Sequence, residues 1–254
     1  MKNAGRHSLV VIPTYDEADN ILSLVERVLA LPELIHVLVI DDNSSDGTGD
    51  LVEERGNEES RLHLIRRAGK LGLGTAYLAG FRYALENDYH RVFTMDADFS
   101  HNPRYIPAML ALMETHDMVI GSRYVRGGSV TNWPMHRRLL SRFANFYARR
   151  LLSLPVRDCT SGFRCHSAAV LQAVDSFGIR SSGYSFLEEM VLRVSRHGFR
   201  IGEIPITFEN RTAGSSKIDS SEIYRAAWHV LVTALRPSSR TIADRVSQGK
   251  SSSK

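Results

Sequence analysis

The sequence predicts an α/β fold, a mostly parallel sheet flanked by helices and closed as a single domain. Three observations carry that expectation. Short, continuously apolar, β-branched runs recur along the chain, segments with apolar residues at i, i+3, i+4 spacing alternate with them, and each run stops at a turn cluster. Unbroken apolar runs suit strands buried on both faces, and their alternation with helices implies parallel crossovers.

The elements follow in order. Residues 9–12 are a strand stopped by Pro13. Ile21, Leu24, Val25, Val28 and Leu29 then repeat at helical spacing, with Asp19 or Asn20 placed to cap them. Residues 37–40 are the second strand, stopped by Asp41-Asp42-Asn43-Ser44. Asp46-Gly47-Thr48 opens a helix that runs to Glu54, with Asp46 as its cap. Strands at 62–65 and 92–95 enclose a helix at 75–85, and 118–120 is a further strand. Gly127-Gly128 marks a loop, after which 137–152 reads as a long helix and 185–197 as another. Residues 201–208 are strand-like despite Pro205, and 221–235 form a C-terminal amphipathic helix. The tail at 247–254 has no core-forming content, which leaves one domain over 1–246 and a disordered tail.

With 254 residues, 43% hydrophobic and 24% charged, the chain is not a disordered, collagen-like or coiled-coil sequence. Cys159 and Cys165, its two cysteines, cannot complete a structural metal site and read as small buried side chains in a reducing compartment. The start carries no apolar run of signal-peptide length before Pro13, so export is not expected. The apolar stretch at 226–235 is broken by His229 and reaches about half of the roughly 20 residues that a spanning helix needs. A soluble or peripheral protein is expected. The net charge of +4 is too small to argue for nucleic acid, but its distribution is informative. Residues 41–59 hold eight acids and one base, whereas 123–150 hold seven arginines and no acid. The first pole suits a metal ion or sugar hydroxyls, and the second suits phosphate.

In open parallel sheets ligands bind beyond the carboxyl ends of the strands. Four motifs fall at such ends: Pro13-Thr14-Tyr15-Asp16-Glu17, Asp41-Asp42, Asp96-Ala97-Asp98 and Gly121-Ser122-Arg123. Asp96 and Asp98 outline a site for Mg²⁺ or Mn²⁺ completed by substrate diphosphate oxygens. The plainer account is a solvated turn in which Asp98 or Ser100 caps the helix opened by Pro103. Asp42 is placed to accept from a ribose hydroxyl or a base N–H. Leu71-Gly72-Leu73-Gly74-Thr75-Ala76 lacks the ending of a P-loop and is explained by a tight turn into a helix, with Lys70 beside it in reach of a diphosphate. On the long helix, Arg138, Arg142 and Arg149 form a basic ridge, read as opposite Leu139, Leu140, Phe143, Phe146 and Tyr147. Such a helix either lies on an anionic membrane surface or docks its apolar side onto the sheet, and docking is the expectation here. Arg211-Thr212-Ala213-Gly214-Ser215-Ser216-Lys217 reads as a phosphate clamp or as an ordinary surface loop.

The blocks VVIPTYDEADNI, VIDDNSSDGTGDLV, GLGTAYLAGF, TMDADFSHNP, VIGSRYVRGG, WPMHRR, DCTSGFR, GYSFLEEMV and IGEIPITFENRTAGSSK together resemble the dolichyl-phosphate (polyprenyl-phosphate) mannose synthases, GT-A glycosyltransferases of family two. The resemblance runs in order over roughly 8–235. It implies a GT-A, Rossmann-like fold and inverting transfer of mannose from GDP-mannose to a dolichyl or other polyprenyl monophosphate. Pro13, Tyr15, Glu17, Ile40 and Asp42 are implied to hold the guanosine and ribose, and Asp96, Ala97 and Asp98 the diphosphate through Mg²⁺ or Mn²⁺. Arg123, Arg211 and Lys217 are implied to face the donor diphosphate and sugar, and Arg123, Arg137 and Ser141 the acceptor phosphate, with Asp96, Asp98, Arg123 and Arg211 as the catalytic set. Ser100 stands where some relatives carry a glutamine as a further metal ligand. Many relatives carry C-terminal transmembrane helices that are not found in this chain, which implies a peripheral subunit at the cytosolic face of the membrane, recruited by a separate membrane protein.

The chemistry of the residues agrees. A phosphate monoester has a second pKa near 6, so the acceptor is substantially ionised at neutral pH and needs no strong general base. The reaction needs a cation on the departing diphosphate and a positive cradle for the second anion. Two rivals remain: transfer from UDP-glucose or a UDP-aminosugar to the same lipid, and a noncatalytic nucleotide-sugar or membrane-binding module.

Overall fold

The computed structural model describes residues 8–174 and 185–209. The helix expected at 221–235, Arg211, Lys217 and the polar tail lie outside the described residues.

The elements run β1 (Ser8–Thr14), α1 (Ala18–Leu29), β2 (Ile35–Asp41), α2 (Thr48–Glu58), β3 (Leu62–Arg66), α3 (Leu73–Glu86), β4 (Arg91–Thr94), α4 (Ile106–Leu112), β5 (Met118–Ser122), β6 (Ser129–Val130), α5 (Met135–Leu152), β7 (Arg164–Ser167), α6 (Ala168–Val174), α7 (Ser185–Arg196), β8 (Ile201–Pro205) and β9 (Thr207–Phe208). Seven strands form one sheet in the order β3-β2-β1-β4-β7-β5-β8, and β6 pairs with β9 beside it. Every pairing in the large sheet is parallel except those of β7, which runs antiparallel between β4 and β5.

Alternation along β1 divides the core into two layers. Val10 and Ile12 face Ile21, Leu24, Val25 and Val28 of α1 and Met109 of α4. Leu9 and Val11 face Ala76, Tyr77 and Phe81 of α3, with Val170 of α6 and Met190 of α7 in the same layer. Gly80 lets the backbone of α3 settle onto the sheet, because a Cβ there would lie 2.5 Å from Val11 Cγ1. Gly72, at φ +94, makes the turn into α3.

Several local expectations are corrected. Glu17 precedes α1 without a side-chain cap; Asn20 instead donates to Glu17 Oε2 at 3.0 Å from inside the first turn. Gly47, at φ +88, occupies the cap position of α2, while the Asp46 carboxylate still takes the Thr48 N–H at 3.0 Å. Asn102, and neither Asp98 nor Ser100, caps the turn at Pro103–Tyr105. The strand expected over 201–208 divides at Ile206, because Pro205 ends β8 and the chain enters the small sheet at Thr207.

The largest correction concerns α5. It docks through Asn145, Ala148 and Leu152, and leaves Met135, Leu139, Leu140, Phe143 and Phe146 exposed. At about 100° per residue Phe146 stands about 40° from Arg142, so arginines and apolar side chains share one broad outward face instead of opposing each other. The helix is held by polar contacts: Asn145 Nδ2 donates to Thr160 Oγ1 at 2.9 Å, and its Oδ1 accepts the Cys159 N–H at 3.0 Å.

Candidate active site

Strand order reverses at β1, which has β2 on one side and β4 on the other. Neighbouring strands lie about 4.8 Å apart, so the loops after β2 and β4 stand roughly 10 Å from each other across the end of β1. Such a switch point is where an open sheet leaves a crevice.

One wall is acidic and carefully tied. Asp41 accepts the hydroxyl of Thr14 at 3.0 Å and the N–H of Ser44 at 3.1 Å, which fixes the turn. Asp42 is buried and paired through Oδ1 with Arg67, whose Nη1 also donates to Thr75 Oγ1 at 2.7 Å. Its Oδ2 makes no hydrogen bond among the described residues and stays open to a donor. Tyr15 lies on the loop after β1 with Lys70 Nζ 4.8 Å from its ring centre. Glu17 is pinned by its N–H on Thr48 Oγ1 at 3.0 Å. Pro13 is half-buried within β1, and Ile40 is fully buried in the core, so its side chain is not part of the crevice surface.

Asp96 and Asp98 leave the end of β4. Asp96 keeps 35% of its side chain exposed, and its N–H donates to His101 Nδ1 at 3.0 Å. That bond makes Nδ1 the acceptor, and the ring stacks on Phe163 at 5.2 Å. Asp98 is buried, and its Oδ1 accepts both the N–H and the hydroxyl of Ser100. Ala97 between them is buried. No group of three His, Cys, Asp or Glu side chains is assembled for a metal among the described residues. The donor set is therefore two hard carboxylates, which fits Mg²⁺ or Mn²⁺ completed by diphosphate oxygens and water, and does not fit an ion caged by protein alone.

The other wall is brought in by β7. Because this strand is antiparallel, its entry loop arrives at the same end of the sheet as the exit of β4, and Thr94 Oγ1 donates to Gly162 O at 2.7 Å. That loop carries Asp158, which holds Arg123 with Nε–Oδ2 and Nη2–Oδ1 both at 2.7 Å. Thr160 Oγ1 accepts from the same Nη2 at 2.7 Å. Tyr124, Phe208 and Trp133 surround the guanidinium at 5.2, 5.4 and 5.9 Å. Burial opposes both charges, but each overrides it in the other: Asp158 raises the Arg123 pKa and Arg123 lowers that of Asp158. Arg123 is thus a fixed, caged cation. Arg137 stacks on the same Trp133 at 4.2 Å, and Tyr124 donates its hydroxyl to Ser141 Oγ at 2.7 Å.

The structure thus joins Arg123, Arg137 and Ser141 through Tyr124 and Trp133, and sets Tyr15, Asp42, Asp96 and Asp98 on loops around the switch point. Arg211 and Lys217 lie outside the described residues. Sequence reasoning from spacing missed Arg67, Asp158, Thr160 and Asn145. Asp158 and Thr160 were signalled by the DCTSGFR block, but no periodicity marked the strand that carries it to the crevice.

A mostly parallel sheet with a carboxylate pair at its switch point and a caged arginine opposite defines a glycosyltransferase of the GT-A type. The chain belongs to glycosyl transferase family 2, whose model matches residues 9–174. It is 41% identical over 91% of its length to polyprenol monophosphomannose synthase of Mycolicibacterium smegmatis, covering 88% of that protein. It is 43% identical over 87% of its length to undecaprenyl-phosphate mannosyltransferase of Micrococcus luteus, covering 91% of that protein. These similarities bear out the resemblance read from the sequence blocks. Among solved structures, glucosyl-3-phosphoglycerate synthase of Mycobacterium tuberculosis in complex with Mn²⁺, UDP and glucosyl-3-phosphoglycerate shares the fold, with a TM-score of 0.65, 20% identity, and coverage of 93% of this chain and 82% of that one.

Proposed function

We propose that this protein transfers mannose from GDP-mannose to the monophosphate of a dolichol or other polyprenol, with inversion at the anomeric carbon. The observation that carries the reading is similarity over nine-tenths of the chain to mannosyltransferases named for that lipid class, supported by Asp96 and Asp98 at the end of β4 and an Arg123 caged by Asp158 on the loop after β5.

Asp42, with one carboxylate oxygen open, accepts from the base or ribose beside Tyr15 and Glu17. Asp96 and Asp98 hold Mg²⁺ or Mn²⁺, which supplies charge neutralisation on the departing diphosphate. Arg123, fixed by Asp158, and Arg137, fixed by Trp133, orient the acceptor phosphate with Ser141, while Arg211 and Lys217 complete the positive cradle. An acceptor oxygen attacks the anomeric carbon as the bond to GDP breaks; the acceptor arrives largely ionised, so no protein base is required.

No helix among the described residues is long and apolar enough to cross a membrane. With a lipid acceptor and the exposed apolar side of α5, the protein works at a membrane surface, at its cytosolic face.

Transfer of radiolabelled mannose from GDP-mannose to polyprenyl phosphate, read as label in the organic extract, tests the reading. Label must appear with GDP-mannose and a divalent ion and be absent with UDP-glucose. Transfer from the UDP-sugar alone moves the donor, and none from either leaves only a binding module.

A further inference from the structure

Beyond the caged Arg123, a cavity of about 410 Å³ opens between the 123–128 loop and α5. Arg123, Arg126, Arg142, Arg149 and Arg157 line it, and among the described residues no carboxylate does. Arg123 is committed to Asp158, but the other four side chains make no hydrogen bond or ion pair among the described residues, and Arg149 Nε is buried without a partner. Glu203, beside the cavity, has its two oxygens taken by the backbone N–H groups of Arg157 and Asp158 at 2.7 and 3.0 Å. Four uncompensated guanidinium groups around one cavity repel one another, and a bound phosphate group relieves that repulsion with charge-assisted hydrogen bonds.

We infer that this cavity binds the phosphate of an anionic phospholipid headgroup: it shares the Arg123 wall with the acceptor-phosphate residues, but Arg137 and Ser141 do not line it, and Arg126, Arg142, Arg149 and Arg157 do. The choice of a lipid over a free phosphate comes from the same helix. Met135 is 67% exposed, Leu139 60%, Phe143 64% and Phe146 62%, and Phe146 is itself part of the cavity rim. A soluble anion fills the cavity and leaves this apolar ridge in water, whereas a bilayer surface covers both, the ridge among acyl chains and the arginines at headgroup level. The site deepens the membrane-surface reading above and rests on it.

The test is co-sedimentation of the full chain with vesicles of phosphatidylcholine alone and of phosphatidylcholine with phosphatidylglycerol. The wild type binds the anionic vesicles more tightly, and the preference falls with salt. Arg142→Gln combined with Arg149→Gln loses roughly thirtyfold in affinity for anionic vesicles. That variant retains weak binding to neutral ones and transfers mannose at the wild-type rate to an acceptor dispersed in detergent. Phe143→Ser weakens binding to both vesicle types. Arg126→Gln, on the opposite wall, repeats the charge effect should the double variant fail to fold. Equal wild-type affinity for the two vesicles, or unchanged anionic binding in the arginine variants, overturns the headgroup site while leaving the membrane reading standing. Displacement of the vesicles by millimolar inorganic phosphate overturns it in favour of a soluble anion. Failure to bind any vesicle sinks both.

Discussion

Asp158 and Arg123 form a bidentate ion pair with both contacts at 2.7 Å, and the Asp158 side chain is fully buried. The aspartate arrives on the loop before β7 and the arginine on the loop after β5, so the pair clasps two loops that are 35 residues apart in the chain. Removing the acid leaves a guanidinium out of water with Thr160 as its remaining hydrogen-bond acceptor among the described residues. Asp158→Ala is expected to cost about 3–5 kcal/mol in urea unfolding. Asp158→Asn keeps the shape and also loses transferase activity, because Arg123 is no longer held in place.

Asp98→Asn keeps the size of the side chain and its contact with Ser100, but removes charge from the carboxylate pair. Transfer is expected to fall by about three orders of magnitude, in line with the loss of a major electrostatic contribution. Titrating Mn²⁺ into the variant checks the cause: the rate stays low at any concentration of the ion. A variant working at the wild-type rate refutes the metal role.

Gly80→Ala sets two effects against each other. Alanine is better than glycine in a helix by about 1 kcal/mol. Its methyl group, however, lands 2.5 Å from Val11 Cγ1 and 2.9 Å from Val11 Cγ2, on a stiff side chain inside β1. Overpacking of this kind costs about 1–3 kcal/mol, so a net loss in thermal stability is expected.

Two buried groups give opposite dependences of stability on pH. Burial, with Arg164 nearby, lowers the His166 pKa from 6.5 to about 3, so the native state resists a proton that the unfolded chain accepts below 6.5. This contribution is present above that value and is lost as pH falls. Burial raises Glu188 from 4.5 to about 7 against the opposing charge of Arg164, so its native form holds a proton that the unfolded chain releases above 4.5. That contribution is present at low pH and is lost as pH rises toward 7. Between about pH 5 and pH 7 the two contributions oppose each other. Urea unfolding of Glu188→Gln should become more stable toward pH 7, and His166→Leu more stable toward pH 5. Parallel curves for the wild type and both variants would contradict the assignment.

Most strands and helices from β1 to β5 were legible as continuous apolar runs or clean helical repeats, from Val10 against Val37 to Ile21 with Val25 and Val28; α2, read from its opening turn as ending at Glu54, runs on to Glu58. β7 was not. Arg164, His166 and Ser167 read as polar around a single Cys165, yet all four are buried, since Arg164 spends its guanidinium on the carbonyls of Ser161, Leu187 and Cys159. A charged residue satisfied by backbone carbonyls looks like surface in a one-dimensional pattern. The direction of α5 was lost for a related reason: its apolar side chains suggested a buried face, while the residue that anchors it is the polar Asn145. Asp42, Asp96 and Asp98 were readable from their places after apolar strands, whereas the partners that fix the site, Arg67 and Asp158, come from distant loops whose approach only the folded sheet defines.

Asn145 joins two regions that the chain keeps apart. Its amide grips Thr160, and the Thr160 hydroxyl grips Arg123. The long helix therefore cannot roll about its own axis without tugging on the guanidinium at the mouth of the crevice, so whatever surface α5 leans against is geared to the aim of that charge.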